Sequence, residues 1–439
     1  FPDVLKTAVV IPVFKKGSRL DPNCFRPISL LSTLSKIIEK VIKKRLVGFL
    51  DKTGFISINQ YGFRSKISTE TALIDFMKYI SDKINIGNKV TGVFIDIKKA
   101  FDSVNHKILL DKMYNCGIRG KAFNWFESYL SNRKQCVKIG SCFSSMGNLN
   151  IGVPQGSVLG ANLFLIYIND LCSAKFKGNI YSFADDTAFS YANSSLQIIE
   201  NHINSDLRSL KWWFSKNKMV ISPEKTVYVN FSLRVRHQFV DKIIYPCINC
   251  LSSAQICLLN CSEICCSDKV KYLGLILDKE LNWKDHIKSI KGRLNNIIRT
   301  TYFLRDFCDF KTLRTIYYSL FQSRIEYGLV CWGGTYLTNL DPIIKQQKQI
   351  IRIINRKDIL PPSWPLFFQN NILPLRHLFV YKVLIIFYKK SGNILFNGIM
   401  HNYNLREVPI FQIPRPFLTV YKQSIEFIGP KIYIIFLTV

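Results

Sequence analysis

Residues 180–191 read IYSFADDTAFSY: two short apolar stretches on either side of an acidic pair, Asp185 and Asp186. This is the pattern of strand, tight turn, strand. Residues 90–97, VTGVFIDI, read as another short apolar strand, and it ends at an acid, Asp96. A carboxylate leaving a strand end is rigidly held, and a hairpin tip can be set beside it. Three carboxylates converging there offer hard oxygen ligands for cations such as Mg²⁺. Two such cations about 3.5–4 Å apart stabilise both the attacking and the leaving oxygen of a phosphoryl transfer. Each piece alone also has an ordinary reading. Asp-Asp at a hairpin tip is common turn chemistry. An acid after a strand often caps the next helix, a role that Asp102 or Ser103 can fill here.

Upstream, residues 6–14 (KTAVVIPVF) read as a strand, followed by a basic turn at Lys15, Lys16 and Gly17. Residues 32–50 show helical apolar spacing at Leu34, Ile37, Ile38, Val41, Ile42 and Leu46. A second helix is expected over 68–86, with Ser68 or Thr69 as its N-cap. Beyond Asp96, helices are expected from about Ser103 to Tyr114 and over 122–130. Residues 135–151 alternate like a hairpin, and Gly152-Val153-Pro154-Gln155-Gly156 form a turn before a helix over 158–171. A helix over 196–217, a strand near 226–231 and a strand over 270–278 follow. From 284 onward helices dominate. Strands and helices are thus mixed up to about residue 282 and helices prevail afterwards, which predicts an α+β region followed by a helical one.

The 439 residues carry 60 Lys+Arg against 30 Asp+Glu, a formal net charge of +30. An excess of this size suits a polyanionic partner, because phosphates draw Lys and Arg and binding releases counterions; the coding bias of an AT-rich gene would also produce it. Hydrophobic residues make up 48% and aromatics 13%, which excludes a disordered chain. No apolar run approaches the roughly 20 residues of a membrane span, so no membrane partner is expected. Thirteen cysteines without a secretory signal and with irregular spacing point to a reducing compartment. Six lie between 247 and 266. Cys247 and Cys250 form a C-x-x-C pair that could seed a zinc site. No second pair at finger-like spacing follows, and the apolar setting favours buried strand cysteines. The chain enters at Phe1 directly into an apolar pattern and reads as a piece of something longer.

The wider constellation is more specific than any single motif. Residues 94–105 read FIDIKKAFDSVN, 152–160 GVPQGSVLG, 183–186 FADD, 222–226 SPEKT and 271–275 KYLGL, preceded by IPVFKKG, FRPISLL and QYGFRS. In this order the set closely resembles the reverse transcriptases of non-LTR retrotransposons, most of all the jockey-type, LINE-like elements of animals, over nearly the whole chain.

The resemblance implies a right-hand polymerase: fingers over 1–90, a palm with an antiparallel sheet over 91–282, a helical thumb over 283–360 and a helical C-terminal region over 361–439. Elements of the fingers interleave with the palm, and the reverse transcriptase domain as a whole covers about 1–278. It implies an RNA-directed DNA polymerase that extends a primer 3′-hydroxyl on an RNA template, using deoxynucleoside triphosphates and two Mg²⁺ ions, with Mn²⁺ as an alternative. Its partners would be template RNA and primer or target DNA, met as a ribonucleoprotein in the nucleus or cytoplasm.

By motif match, Asp96 and Asp185 bridge the metals and Asp186 supports them. Phe101 lies under the incoming sugar, where a ring excludes a 2′-hydroxyl; alternatively it is core. Gln155 contacts nucleotide and template, with Gly156 allowing close approach. Lys15, Lys16 and Arg26 grip the triphosphate, although surface lysines are as ordinary a reading for the first two. Lys225 protonates the leaving pyrophosphate. Arg64, Tyr272 and Gly274 contact primer or template. Basic residues on 343–357 (Lys345, Lys348, Arg352, Arg356) would track duplex phosphates or simply face solvent. The rival reading is a catalytically dead or domesticated remnant that binds nucleic acid without copying it.

Overall fold

The computed structural model describes residues 1–232, 240, 242–250, 261–357, 362–391 and 419–437. The chain opens with a hairpin of β1 (Thr7–Phe14) and β2 (Phe25–Leu30), then two helices, α1 (Thr33–Thr53) and α2 (Thr69–Asn85). Next come β3 (Lys89–Ile95), α3 (His106–Asn115), α4 (Gly120–Leu130), β4 (Lys134–Ile139) and the short β5 (Cys142–Phe143) and β6 (Gly147–Asn148). Helix α5 (Gly160–Ser173) leads into β7 (Asn179–Phe183) and β8 (Asp186–Asn193), followed by α6 (Leu196–Lys216) and β9 (Val227–Phe231). Then follow β10 (Ile243–Tyr245), β11 (Ser262–Cys266), β12 (Lys269–Tyr272) and β13 (Leu275–Asp278). The helical remainder runs from α7 (Lys284–Leu304) through α8 (Phe310–Ile316), α9 (Ser323–Glu326) and α10 (Leu329–Trp332) to α11 (Leu337–Ile354) and beyond. No described helix is long and apolar enough to cross a membrane.

The central sheet has the order β10-β11-β9-β3-β8-β7, with β3 antiparallel to both neighbours. Side chains alternate across a strand, and β3 divides two cores accordingly. Val90 and Phe94 pack with α2, the β12–β13 hairpin and the C-terminal helices. Val93 and Ile95 pack with α3 to α6. A smaller sheet, β2-β1-β4-β5, stands beside this one, with β4 parallel to β1. This is an α+β fold in which the strand carrying Asp96 lies between β8 and β9.

Most elements fall where the periodicity puts them, and Ser68 caps α2 in a capping box. Four expectations need correction. The apolar positions of 32–50 form the buried face of α1 only in its second half, at Leu46: Leu34, Ile37 and Val41 are exposed, while Ser35 and Glu39 are fully buried. Glu39 accepts the N–H groups of Val158 (2.6 Å) and Leu159 (3.2 Å) at the start of α5 and the hydroxyl of Ser35 (2.9 Å). A carboxylate at the positive end of a helix overrides the apolar pattern. The cap of α3 is Asn105, which accepts from Ile108 N–H, not Asp102 or Ser103.

Residues 270–278 are two strands, not one: Leu273 and Gly274 both have positive φ (42° and 85°), which is the primed turn that suits a two-residue hairpin. The fourth correction concerns the cysteines. Cys265 and Cys266 are exposed on β11, and Cys247 and Cys250 lie outside any strand. Cys257 lies outside the described residues.

Candidate active site

Strand register brings the acids together. In the β3–β8 ladder Ile95 faces Thr187, so the next positions along, Asp96 and Asp186, lie opposite each other. The β7–β8 hairpin closes with Phe183 facing Asp186, which leaves Ala184 and Asp185 as its two-residue turn. The end of β3 is fixed by its other neighbour. Ser222 N–H donates to the Asp96 carbonyl (2.8 Å), and Asp96 N–H donates to Thr226 Oγ1 (3.3 Å). Lys225, from the same loop, places Nζ 3.9 Å from Asp96 Oδ2.

The turn itself is strained. Ala184 has φ +58°, a region that costs a side-chain-bearing residue about 1–3 kcal/mol and persists only where surrounding contacts impose it. Gln60 imposes it. It is fully buried; its Oε1 accepts from Ala184 N–H (3.0 Å) and Gly62 N–H (2.8 Å), and its Nε2 donates to Ser182 Oγ (3.0 Å). Tyr61 N–H donates to the Ser182 carbonyl (2.7 Å), and Ser182 N–H to that of Asn59 (2.9 Å). The 59–62 segment thus acts as a short extra strand on β7. A Cβ on Gly62 would lie 2.5 Å from the Ala184 nitrogen. The sequence reading gave Gln60 no role; its only signal was the Q-Y-G-F-R-S motif.

Electrostatics also joins the three acids. The Asp185 carboxyl is held above the usual range, first by burial and then by the charge of Asp96; Lys15 and Arg26 act against this. Asp186 is pushed up to about 6. Although it keeps exposed surface, protein packed around it is the largest cause, followed by the charges of Asp185 and Asp96, with Lys15 opposing. The carboxylates are spaced more widely than a single tight cage: among the described residues only three cysteines bring three ligand atoms within 4.8 Å of one another.

A raised carboxyl pKa means that the folded state holds the proton more tightly than the unfolded chain. Stability therefore falls as pH rises from about 4 through about 6, where the folded state must carry the crowded charges. In chelator, Asp186→Asn is expected to melt higher than the parent protein at pH 7. The gap should close toward pH 4, as thermal melts across that range will show.

The cations expected at the triphosphate divide. Lys15, just past the end of β1, and Arg26, opposite Val13 on β2, both act on Asp185; Lys16 is exposed on the same turn and is not among the charges acting on the acids. Phe101 is half-buried and stacks on Phe164 (centroids 4.7 Å apart). Gln155 Nε2 donates to Asp102 Oδ1 (2.9 Å), and the Gln155 carbonyl accepts from Ser29 N–H (2.8 Å). Gly156 has φ +130°, and a Cβ there would lie 2.5 Å from the Ser29 carbonyl oxygen, so only glycine fits. Lys99, Asp102, Ser29, Pro27 and Gln155 line a cleft of about 350 Å³. Asp102, expected as a helix cap, instead holds Gln155, and burial raises its pKa.

Two residues expected at primer or template face inward instead. Arg64 Nη1 donates to the carbonyls of Ser57 (2.9 Å) and Gln60 (3.0 Å), bracing the segment that clamps the acidic turn. Tyr272 is buried against Phe76 and Phe94 and donates its hydroxyl to the Tyr181 carbonyl (3.3 Å). Apolar packing on both sides makes Tyr272 a core residue. Gly274 stays exposed at the turn, with Tyr327 beside it. On α11, Ile343, Ile350, Ile351 and Ile354 are buried as their spacing predicts, and Lys345 and Lys348 are exposed. Arg356 is turned back onto the carbonyls of Arg305 and Cys308.

Comparison with known proteins extends this picture. The family described as reverse transcriptase (RNA-dependent DNA polymerase) matches residues 13–277, more than half of the chain. Over 365 residues the chain is 27% identical to the probable RNA-directed DNA polymerase from transposon X-element of Drosophila melanogaster, covering 81% of this chain and 38% of the relative. It is 28% identical over 365 residues to the RNA-directed DNA polymerase from mobile element jockey of the same species, covering 80% and 38%. The chain thus spans well under half the length of the curated relatives it matches. Among solved structures, apo telomerase from Candida tropicalis covers 91% of this chain and 68% of its own, with a TM-score of 0.47 and 12% identity. Because the matched region runs from β1 into β13 and encloses all three acids, the chain belongs to the reverse transcriptase family.

Proposed function

We propose that the chain is the RNA-directed DNA polymerase of a non-LTR retrotransposon, adding deoxynucleotides to a primer 3′-hydroxyl on an RNA template. The observation that carries this reading is the register that sets Asp96 opposite the Asp185-Asp186 turn. The donor set fits divalent cations: it is all carboxylate oxygen, and the Asp185 and Asp186 carboxyls are held up first by burial and then by neighbouring acidic charge, only partly offset by Lys15 and Arg26. Asp96 and Asp185 would hold two Mg²⁺ or Mn²⁺, with Asp186 in support. When bound, these ions activate the attacking hydroxyl and stabilise the leaving oxygen.

The other roles belong to the chain's own residues. Lys15 and Arg26 offset charge developing on the triphosphate. Lys225, with Nζ 3.9 Å from Asp96 Oδ2, would give a proton to the departing pyrophosphate. Gln155, oriented by Asp102, and the Ser29 backbone shape the wall of the cleft. Residues 1–90 serve as fingers, 91–282 as palm, 283–360 as thumb and 361–439 as a helical C-terminal region. The exposed lysines of α11 follow the duplex backbone. The particle would work as a ribonucleoprotein in nucleus or cytoplasm.

Primer extension on an RNA template tests this directly. Deoxynucleotides and Mg²⁺ should give extension that chelation stops. A folded protein that binds the hybrid and extends nothing would leave only the binding-remnant reading. Phe101, stacked on Phe164 and hydrogen-bonded through its carbonyl to the N–H of Val153 in the cleft wall, carries a second expectation. Phe101→Ala should weaken discrimination against ribonucleotides about tenfold or more, read as the ratio of kcat/KM for the two sugars.

A further inference from the structure

Away from the acidic site, the β10–β11 hairpin gathers cysteines. The ladder pairs Tyr245 with Ser262, so the chain segments just beyond, at Cys247 and Cys261, meet at its mouth. A 3-10 turn at Ile248–Cys250 then carries Cys250 back to them. The Cys247 and Cys250 sulfurs lie 3.5 Å apart, those of Cys250 and Cys261 3.8 Å, and all three within 4.8 Å of one another. Cys250 is buried; Cys247 and Cys261 are partly so.

We propose that Cys247, Cys250 and Cys261 form a structural zinc site that closes the mouth of this hairpin. The spacing carries the proposal. A Zn–S bond of about 2.3 Å in a tetrahedron separates neighbouring sulfurs by about 3.8 Å. The separations from Cys250 to Cys247 and to Cys261, 3.5 and 3.8 Å, sit near that edge length and far beyond a disulfide bond of about 2.05 Å. The ligand type fits too: thiolates are soft donors that select zinc over the hard cations suited to carboxylates. A C-x-x-C turn is the usual knuckle of such sites. The Cys247 N–H donates to the Cys261 sulfur (3.4 Å), an interaction that favours the thiolate form. Binding zinc would release the thiol protons, up to three, and no oxidant or reductant takes part. The described residues bring three ligands together, and the fourth position is left to water or a further donor.

The consequence lies in the catalytic sheet. Strand β11 pairs with β9, and β9 pairs with β3, which leads to Asp96. A metal at the mouth of β10–β11 fixes the edge of that sheet without touching the acids. The proposal therefore stands whether or not the chain copies RNA.

Metal analysis of the full chain, purified under reducing conditions with Asp185→Asn present to remove binding at the acidic site, tests it. One zinc per chain is expected. Cys250→Ser and Cys261→Ser should each lose it, while Cys265→Ser, an exposed cysteine on the adjacent strand, should keep it. Should the serine variants fail to fold, Co²⁺ titration of the Asp185→Asn protein gives a second readout. Thiolate-to-cobalt charge transfer and tetrahedral ligand-field bands should saturate at one equivalent, and zinc should abolish them. A folded protein free of zinc and giving no thiolate–cobalt bands would overturn the proposal, as would zinc retained in both serine variants.

Discussion

Asp185→Asn is expected to abolish primer extension while leaving affinity for an RNA–DNA hybrid within about twofold. Affinity for the hybrid rests mainly on cationic contacts with its phosphates, whereas Asp185 sits at a two-residue turn and adds nothing to those contacts. Its carboxylate is half-buried, in reach of the charge of Asp96 and of the positive charges of Lys15 and Arg26. The amide is nearly isosteric, so the turn and its hydrogen bonds to Gln60 survive, and what disappears is one metal-ligating charge. Losing a preorganised electrostatic contact to a transferring group costs about 10²–10³-fold in rate, and a shared metal ligand should lie at or beyond the upper end. Single-turnover extension and hybrid binding, measured on the same preparation, check both halves. Full activity in Asp185→Asn would remove the acid from the mechanism.

Gly62→Ala is expected to lower extension about a hundredfold although it removes no charged or polar side chain. The added Cβ would lie 2.5 Å from the Ala184 nitrogen and 3.1 Å from the Phe183 carbonyl carbon. Both are backbone atoms of the acidic hairpin and cannot rotate away. Relief must come from shifting the 59–62 segment or the turn, and either moves Asp185. A displacement near 1 Å of a reacting geometry costs about 10²-fold, and the overpacking itself costs about 1–3 kcal/mol of stability. Gly48→Ala is the matched control: it lies within α1 with nothing within 4 Å of its Cβ, and it should melt no lower and extend normally. If Gly62→Ala retains full rate with a normal melt, the clamp is not what positions the turn.

The sequence showed the acids plainly because their signal is local. A strand ending at Asp96 and a hairpin tip at Asp185-Asp186 each announce themselves within a dozen residues, whereas their pairing is seen only in the ladder of β3 with β8. What stayed hidden depends on long-range partners. Gln60 is one buried amide whose meaning lies 124 residues away at Ala184. Glu39 breaks the apolar spacing of α1, and only the start of α5, 119 residues on, explains why a carboxylate is buried there. Asp102 looked like a cap because caps are local; its partner, Gln155, is 53 residues distant. The cysteines show the same limit: register, rather than spacing, brings Cys261 to the C-x-x-C pair.

The central claim is that Asp96, Asp185 and Asp186 together hold divalent cations where a primer end meets a nucleotide. Anomalous diffraction from crystals of the protein with an RNA–DNA hybrid, a non-reacting deoxynucleotide analogue and Mn²⁺ tests it most directly. Two manganese peaks about 3.5–4 Å apart, bounded by Asp96 and Asp185, are predicted. A hybrid bound with no manganese at these residues, or with its primer end elsewhere on the protein, would contradict it.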